Sequence, residues 1–293
     1  MKPILVVGTG RPLGAGIALR LLREGNPVIA TRFERKAFDG PLAEAGACLK
    51  SLDLRDSSAI GSIAPNISAA VLVPILSLSG PAARQLAEGG VSRGVVFSSN
   101  NVAVAPEAPV YKALAAAEDE ILSGAPDWAV LRPTMIYGHL GSDALAGLLR
   151  RAAEAPVLPI PGRGSALQQP IHIRDLQALV IGLASAAWPA RGILPVGGAQ
   201  VLSQAELLGE VYRALGRPPR VLRVPLGPAR FLARCADHLG ITLPLDRHQL
   251  ARIDRDKHIQ SPVDIPEAFR PRSDLGLALV EMAERLGLIP QGR

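Results

Sequence analysis

An unbroken apolar run, Ile4–Val7, is followed at once by Gly8-Thr9-Gly10-Arg11-Pro12-Leu13-Gly14 and then by an amphipathic stretch reaching Arg20. Few folds accommodate that order. A buried strand that gives way to glycines and then directly to a helix is the unit with which a parallel sheet receives a dinucleotide. The glycines allow a tight turn and bring the backbone close to a pyrophosphate. The helix start offers unpaired N–H groups and a partial positive charge. Pro12 lacks an N–H where a helix is about to begin, so nothing is lost there. Gly8, Thr9, Gly10, Arg11, Pro12, Leu13 and Gly14 are therefore the candidate pyrophosphate-binding residues. A tight turn without a ligand is the alternative that these residues leave open.

Further along, apolar runs alternate with helical patterns. A helix is expected over 15–24, ended by Gly25-Asn26-Pro27, and a second strand over 27–31. A third strand over 47–52 precedes Asp53-Leu54, where Asp53 can cap a helix over Ser57–Ile63. The run 69–76, with Pro74 near its end, has the continuous apolar character of a strand covered on both faces. Strands over 94–99 and 128–131 flank a helix over 109–123, and a Pro/Gly-rich connection is read at 156–164. Asp175 is read as the cap of a further helix, and Ser203-x-x-Glu206 is a capping box. From Pro218 onward apolar positions recur at helical spacing, interrupted by prolines, with no internal repeat. Strand–helix alternation with a glycine turn after the first strand implies an α/β, doubly wound parallel sheet of Rossmann type, with its site at the carboxyl ends of the strands.

Thr9-Gly10-x-x-x-Gly14-x-Gly16, the string Leu131-Arg132-Pro133-Thr134-x-Ile136-Tyr137-Gly138, and the segment Gln168-Gln169-Pro170-Ile171-His172-Ile173-Arg174-Asp175 together resemble the short-chain dehydrogenase/reductase superfamily. The likeness is to its extended and atypical branch: NAD-dependent epimerase/dehydratase-like, NmrA-like and complex I accessory-subunit-like proteins. Arg11 replaces the middle glycine of the extended G-x-x-G-x-x-G loop. The resemblance implies a dinucleotide-binding domain over 1–165. It also implies a segment 166–293 that returns to the Rossmann core over about 166–200 and ends in a small, mostly helical substrate lobe. It places Asp53 at the adenine amino group with Leu54 against the ring, Ser98 and Pro133 beside the cofactor, and Pro74 near the nicotinamide. His172 is usually structural in such proteins.

The cofactor preference is read at the end of the second strand. An acidic residue there accepts ribose hydroxyls, whereas an arginine serves a 2′-phosphate. Arg32 comes first, Glu34 and Arg35 follow, and Arg11 stands where many NADP-using relatives carry arginine. NADP(H) is therefore expected over NAD(H), with solvated loop charges as the alternative.

An active member of the superfamily uses a tyrosine whose pKa is lowered by a lysine four residues later, because an unperturbed phenol titrates near 10. Tyr111 is the tyrosine available. Ala115 stands four residues on, and Lys112 lies about 100° around the helix. Ser99 and Asn100 occupy the region of the family's catalytic Ser or Thr, with Asn100 at the usual place. Tyr111, Lys112, Ser99 and Asn100 are the candidate catalytic group. The expected substrate is a small molecule, a nucleotide sugar among the candidates, and binding of cofactor without turnover stays open.

Composition narrows the rest. With 293 residues, 48% of them hydrophobic, the chain can bury a sizeable core. The net charge of +6 comes from arginines spread along the chain without aromatic neighbours, which argues against a nucleic-acid partner. Cys48 and Cys235, far apart, suggest neither a disulfide framework nor a metal site. No apolar run reaches the roughly 20 residues of a membrane span, and no leader pattern precedes the first strand, so a cytoplasmic protein is expected, with a homodimer as its oligomeric option.

Overall fold

A computed structural model describes residues 1–32, 38–125, 127–140, 143–155, 157–227 and 253–290. In chain order the first half comprises β1 (Ile4–Val7), α1 (Pro12–Arg23), β2 (Val28–Arg32), α2 (Asp39–Glu44), β3 (Cys48–Ser51), α3 (Ser57–Ile63), β4 (Ala69–Ile75), α4 (Leu76–Glu88), β5 (Gly94–Phe97), α5 (Asn101–Val104), α6 (Pro109–Gly124) and β6 (Ala129–Pro133). The second half adds β7 (Ile136–Tyr137), α7 (Ala144–Glu154), β8 (Leu158–Pro161), β9 (Leu167–Gln168), β10 (Ile171–His172), α8 (Ile173–Ala184), β11 (Gly192–Val196), β12 (Leu202–Ser203), α9 (Gln204–Ala214), β13 (Val221–Val224) and α10 (Leu275–Arg285).

Seven strands form one parallel sheet in the order β3-β2-β1-β4-β5-β6-β11. Because side chains alternate along a strand, β1 splits its apolar residues between two cores. Ile4 and Val6 join α1 and α8, with Leu42 of α2, on one face; Leu5 and Val7 join α3, α4 and α6 on the other. Both faces are covered, which is why β1 and β4 read as continuous apolar runs. A third core holds Tyr137, Leu158 and Ile160 between α7, α9 and α10. Strand order reverses direction between β1 and β4, the switch point outside whose carboxyl ends open α/β sheets bind their ligands. The fold is the α/β Rossmann type.

Several local expectations shift. Helix α1 starts at Pro12, earlier than residue 15, because the proline itself occupies its first turn. The cap of α3 is Asp56, whose carboxylate accepts from the Ser58 and Ala59 backbone N–H groups, and not Asp53. Helix α8 is capped by His172 rather than Asp175; the Asp175 carboxylate instead accepts from Ser273 N at 3.1 Å. The Pro/Gly-rich stretch 156–164 contains β8, paired in parallel with β13, so the region after residue 218 includes a strand as well as helices. Prolines mask a strand to a propensity reading, since only edge positions tolerate them. The capping box at Ser203 and Glu206 is present with both hydrogen bonds. Residues 228–252, with Cys235 among them, lie outside the described residues.

Candidate functional site

The glycine turn is fixed by its neighbours. Gly8 adopts φ +93°, and a Cβ there would lie 3.2 Å from Pro74 Cδ, so the ends of β1 and β4 meet at a residue that has to be glycine. Gly8 N and Thr9 N both donate to Thr31 O, at 3.1 and 3.2 Å, and the Thr9 hydroxyl donates to the same oxygen at 3.0 Å. Thr9 is thus buried and spends its side chain on the turn. Gly14 packs against that turn: a Cβ there would lie 2.8 Å from the Gly8 carbonyl carbon. Gly16 approaches Gln177 of α8 as closely. Gly10 and Leu13 remain partly exposed, Pro12 opens α1, and Arg11 is its N-cap residue with an exposed side chain. The Gly8, Thr9 and Arg11 N–H groups are thus bonded within the turn, and the start of α1 follows it directly.

Arg32 and Asp53, which the resemblance would put at the adenosine, both have ion-pair partners. Arg32 Nε donates to Asp39 Oδ2 at 2.6 Å, a pair missed in the sequence because Asp39 sits within a turn-like Asp-Gly-Pro. Both Asp53 carboxylate oxygens accept from Arg55, whose guanidinium holds the Asp53 carboxyl below the usual carboxylate range. Leu54 packs against the core beside α3. Glu34 and Arg35 lie outside the described residues.

At the carboxyl ends of β5 and β6 the proposed reactive group separates. Ser98 is buried, and its hydroxyl donates to Glu118 of α6. Glu118, with 0% of its surface exposed, also accepts from Arg132 Nε at 2.9 Å and from Arg132 Nη2. The arginine of the Leu-Arg-Pro-Thr string is therefore the counter-ion of a buried carboxylate, a pairing that only the fold reveals. Tyr111 is half-buried against the α4–α6 core, Ala115 is half-buried, and Lys112 is exposed. Lys112 cannot stand in for the lysine one turn after Tyr111, because successive residues point about 100° apart on a helix.

Asn100 is the residue around which the remaining space is arranged. Its N–H donates to Pro133 O at 3.1 Å, while the Ser99 hydroxyl accepts from Asn101 N at 3.2 Å. Asn100 borders two cavities. One, about 510 Å³, is lined also by Arg132, Pro195, Arg255 and His258. The other, about 560 Å³, is lined by Ser99, Thr134, Arg151, Gln168 and Lys257. Neither is lined by Tyr111 or Lys112. The segment 253–261 forms part of the walls of both. Lys257 N donates to Leu167 O at 2.7 Å, Ile259 N to Gln169 Oε1 at 2.8 Å, and Arg255 pairs with Glu107 at 2.7 Å. Gln168, Arg255 and Lys257 were not singled out as site residues, since long-range closure of this kind leaves no local pattern. Among the described residues, no group of three His, Cys, Asp or Glu could hold a metal, and no helix is long and apolar enough to cross a membrane.

His172 is a structural histidine. Its Nδ1 accepts from Arg174 N at 3.2 Å, and its ring meets Tyr137 edge-on with centroids 5.0 Å apart. Burial, then the nearby Arg174 charge, pushes its pKa below the ordinary value. The folded chain therefore binds that proton less readily than the unfolded chain. Stability is expected to be complete above the unfolded histidine pKa of about 6.5 and to fall as pH drops below it. His172→Asn, which keeps a capping acceptor, should flatten this decline when urea unfolding is followed from neutral to mildly acid pH; an unchanged slope would assign the effect elsewhere.

No family model matches the chain. Among curated proteins it is similar to NADH dehydrogenase [ubiquinone] 1 alpha subcomplex subunit 9, mitochondrial, of Arabidopsis thaliana. That match is 24% identical over 170 residues, 57% of this chain and 42% of the relative. It is also similar to divinyl chlorophyllide a 8-vinyl-reductase, chloroplastic, of Oryza sativa subsp. indica, with 26% identity over 252 residues, 76% of this chain and 61% of the relative. The matches thus span less than two thirds of these relatives' length. Among solved structures, MoeE5 in complex with UDP-glucose and NAD superposes with a TM-score of 0.68 at 19% identity, covering 97% of this chain and 99% of that one. The chain shares the Rossmann fold of these proteins and resembles the extended and atypical short-chain dehydrogenase/reductases.

Proposed function

We propose that this chain binds NAD(P)(H) in the β1/β4 crevice and carries out hydride chemistry on a small polar substrate of the nucleotide-sugar kind. The observation that carries the reading is the turn at Gly8: positive φ, Pro74 against it, and three hydrogen bonds gathered on Thr31 O, directly before the start of α1. Those bonds spend the Gly8 and Thr9 N–H groups on fixing the turn, and the turn in its place leads straight into the start of α1, the helix terminus that would meet a pyrophosphate. When bound, the cofactor supplies or accepts the hydride. The chain's own part is to position and to shield. Asn100 and Thr134 border a cavity that also carries Arg151 and Lys257, a lining suited to a polar, anionic substrate. The similarity to a protein solved with UDP-glucose and NAD supports the same substrate class. Arg11 and Arg32 favour NADP(H) over NAD(H), and a cytoplasmic, homodimeric protein completes the reading.

A second reading has its own observation. Tyr111 has no lysine one turn on and borders neither cavity, so the chain binds its nucleotide without turning it over, as a regulator or an accessory subunit. Similarity to a subunit of NADH dehydrogenase accords with that alternative.

Calorimetric titration with NADPH and NADH tests the binding that both readings share, and a turnover assay separates them. Arg11→Ala is expected to weaken NADPH by about 1.5–3 kcal/mol, the range for a hydrogen bond to a charged group, and to leave NADH nearly unchanged. NADPH oxidation with nucleotide sugars, abolished in Tyr111→Phe, supports the first reading; tight binding without turnover supports the second. If the wild-type chain binds neither nucleotide, the crevice reading is wrong.

A further inference from the structure

Arg32 does not face the crevice alone. It follows Thr31, the residue whose carbonyl oxygen gathers the Gly8 and Thr9 donors, so its side chain starts one residue from the proposed pyrophosphate turn. Its Nε is held by Asp39 at 2.6 Å, with the two side chains only 21% and 12% exposed. Asp39 lies in the first turn of α2, but the helix is capped without any side-chain hydrogen bond. Its carboxylate is thus committed to the guanidinium and not to capping. Among the described residues, Arg32 Nε is bonded to Asp39 and Nη1 and Nη2 have no partner.

We propose that Asp39 is a specificity-determining residue that restrains the preference for NADP(H), keeping the adenosine-ribose site open to NAD(H) as well. This rests on the reading that a nucleotide occupies the β1/β4 crevice. A phosphomonoester carries about −1.5 to −2 charges near neutral pH. Bound at Arg32, a 2′-phosphate shares one cation with a carboxylate already in contact, and the two anions repel in a partly buried setting where screening by water is weak. A ribose 2′-hydroxyl meets no such repulsion and can donate to a carboxylate. The carboxylate therefore penalises one cofactor and spares the other. Arg32 alone, as read from the sequence, predicts sharper discrimination than the pair can give.

The experiment uses the full chain and measures dissociation constants of NADPH and NADH by calorimetry at low and physiological salt. The proteins are wild type, Asp39→Asn, Asp39→Ser, Arg32→Ala and the Arg32→Ala/Asp39→Asn double variant, with thermal unfolding to confirm that each is folded. Asp39→Asn keeps the side-chain shape, and Asp39→Ser serves if the amide disturbs α2. Removing the carboxylate is expected to tighten NADPH roughly five- to tenfold, within what one charge-assisted hydrogen bond supplies, and to leave NADH unchanged or weaker. The gain should vanish on the Arg32→Ala background and shrink with salt. NADPH binding that is unchanged or weaker in both Asp39 variants overturns the proposal and makes Asp39 a brace for Arg32. A wild-type chain that binds neither nucleotide overturns the crevice reading first and this inference with it.

Discussion

Arg132→Ala is expected to cost about 3–5 kcal/mol of folding stability, the range for removing one partner of a buried ion pair. Glu118 is fully buried, and its two oxygens are met by Arg132 Nε and Nη2 and by the Ser98 hydroxyl. Without the guanidinium, one neutral hydroxyl is left against a carboxylate that water cannot reach. A double change, Arg132→Met with Glu118→Leu, removes both charges and should recover most of the loss, because an apolar replacement of a buried pair is often neutral or stabilising. Urea unfolding of the three proteins checks this. A loss below about 1 kcal/mol in Arg132→Ala, the level of an exposed pair, would mean that water reaches Glu118. The same substitution opens one wall of the cavity at Asn100, so ligand affinity should be read only under conditions where the variant is folded.

What the sequence disclosed, and what it did not, divides along a physical line. Local rules announce themselves: the glycines after β1, the continuous apolar runs of β1 and β4, Ser203 with Glu206 three residues later. Each is a demand made within a few residues, by steric freedom, by burial on two faces, or by capping. The Glu118–Arg132 and Arg32–Asp39 pairs are demands made across the fold. Nothing in a helix such as α6 distinguishes a buried glutamate from its exposed neighbours Asp119 and Glu120. The resemblance places Ser98 beside the cofactor, and its hydroxyl donates to Glu118, a partner in another element that no local pattern indicates. Asp53 and Asp56 illustrate the limit at close range: both precede α3, and only backbone geometry selects Asp56 as its cap. The strand β8 stayed hidden because two of its four residues are proline, which a propensity reading counts as loop. The cavities by Asn100 depend on residues 253–261 returning across the strand ends, a closure that no short window contains.

Gly14→Val should abolish both duties of the glycine turn, packing and nucleotide binding. Even the first carbon of a side chain at Gly14 falls against the Gly8 carbonyl group and 3.1 Å from Thr9 N. These are backbone atoms of a turn already fixed by Thr31 O and Pro74, so neither can swing aside as a flexible side chain would. Helix α1 has to move outward, and with it Ile17, Ala18 and Leu21, which fill the core on that face. The expected cost is at least about 3 kcal/mol, the upper end of ordinary over-packing. NADPH and NADH binding should be lost even where the chain is still folded, because the α1 N–H groups no longer converge with those of the turn. Gly147→Ala in α7 is the control: a Cβ there meets nothing within 4 Å, and a helix-interior glycine replaced by alanine gains about 0.5–1 kcal/mol. The contrast matters because both glycines lie inside helices and a propensity argument would treat them alike. Wild-type stability and nucleotide affinity in Gly14→Val would show that α1 does not approach the turn as closely as the structure has it, and the cradle would lose its floor.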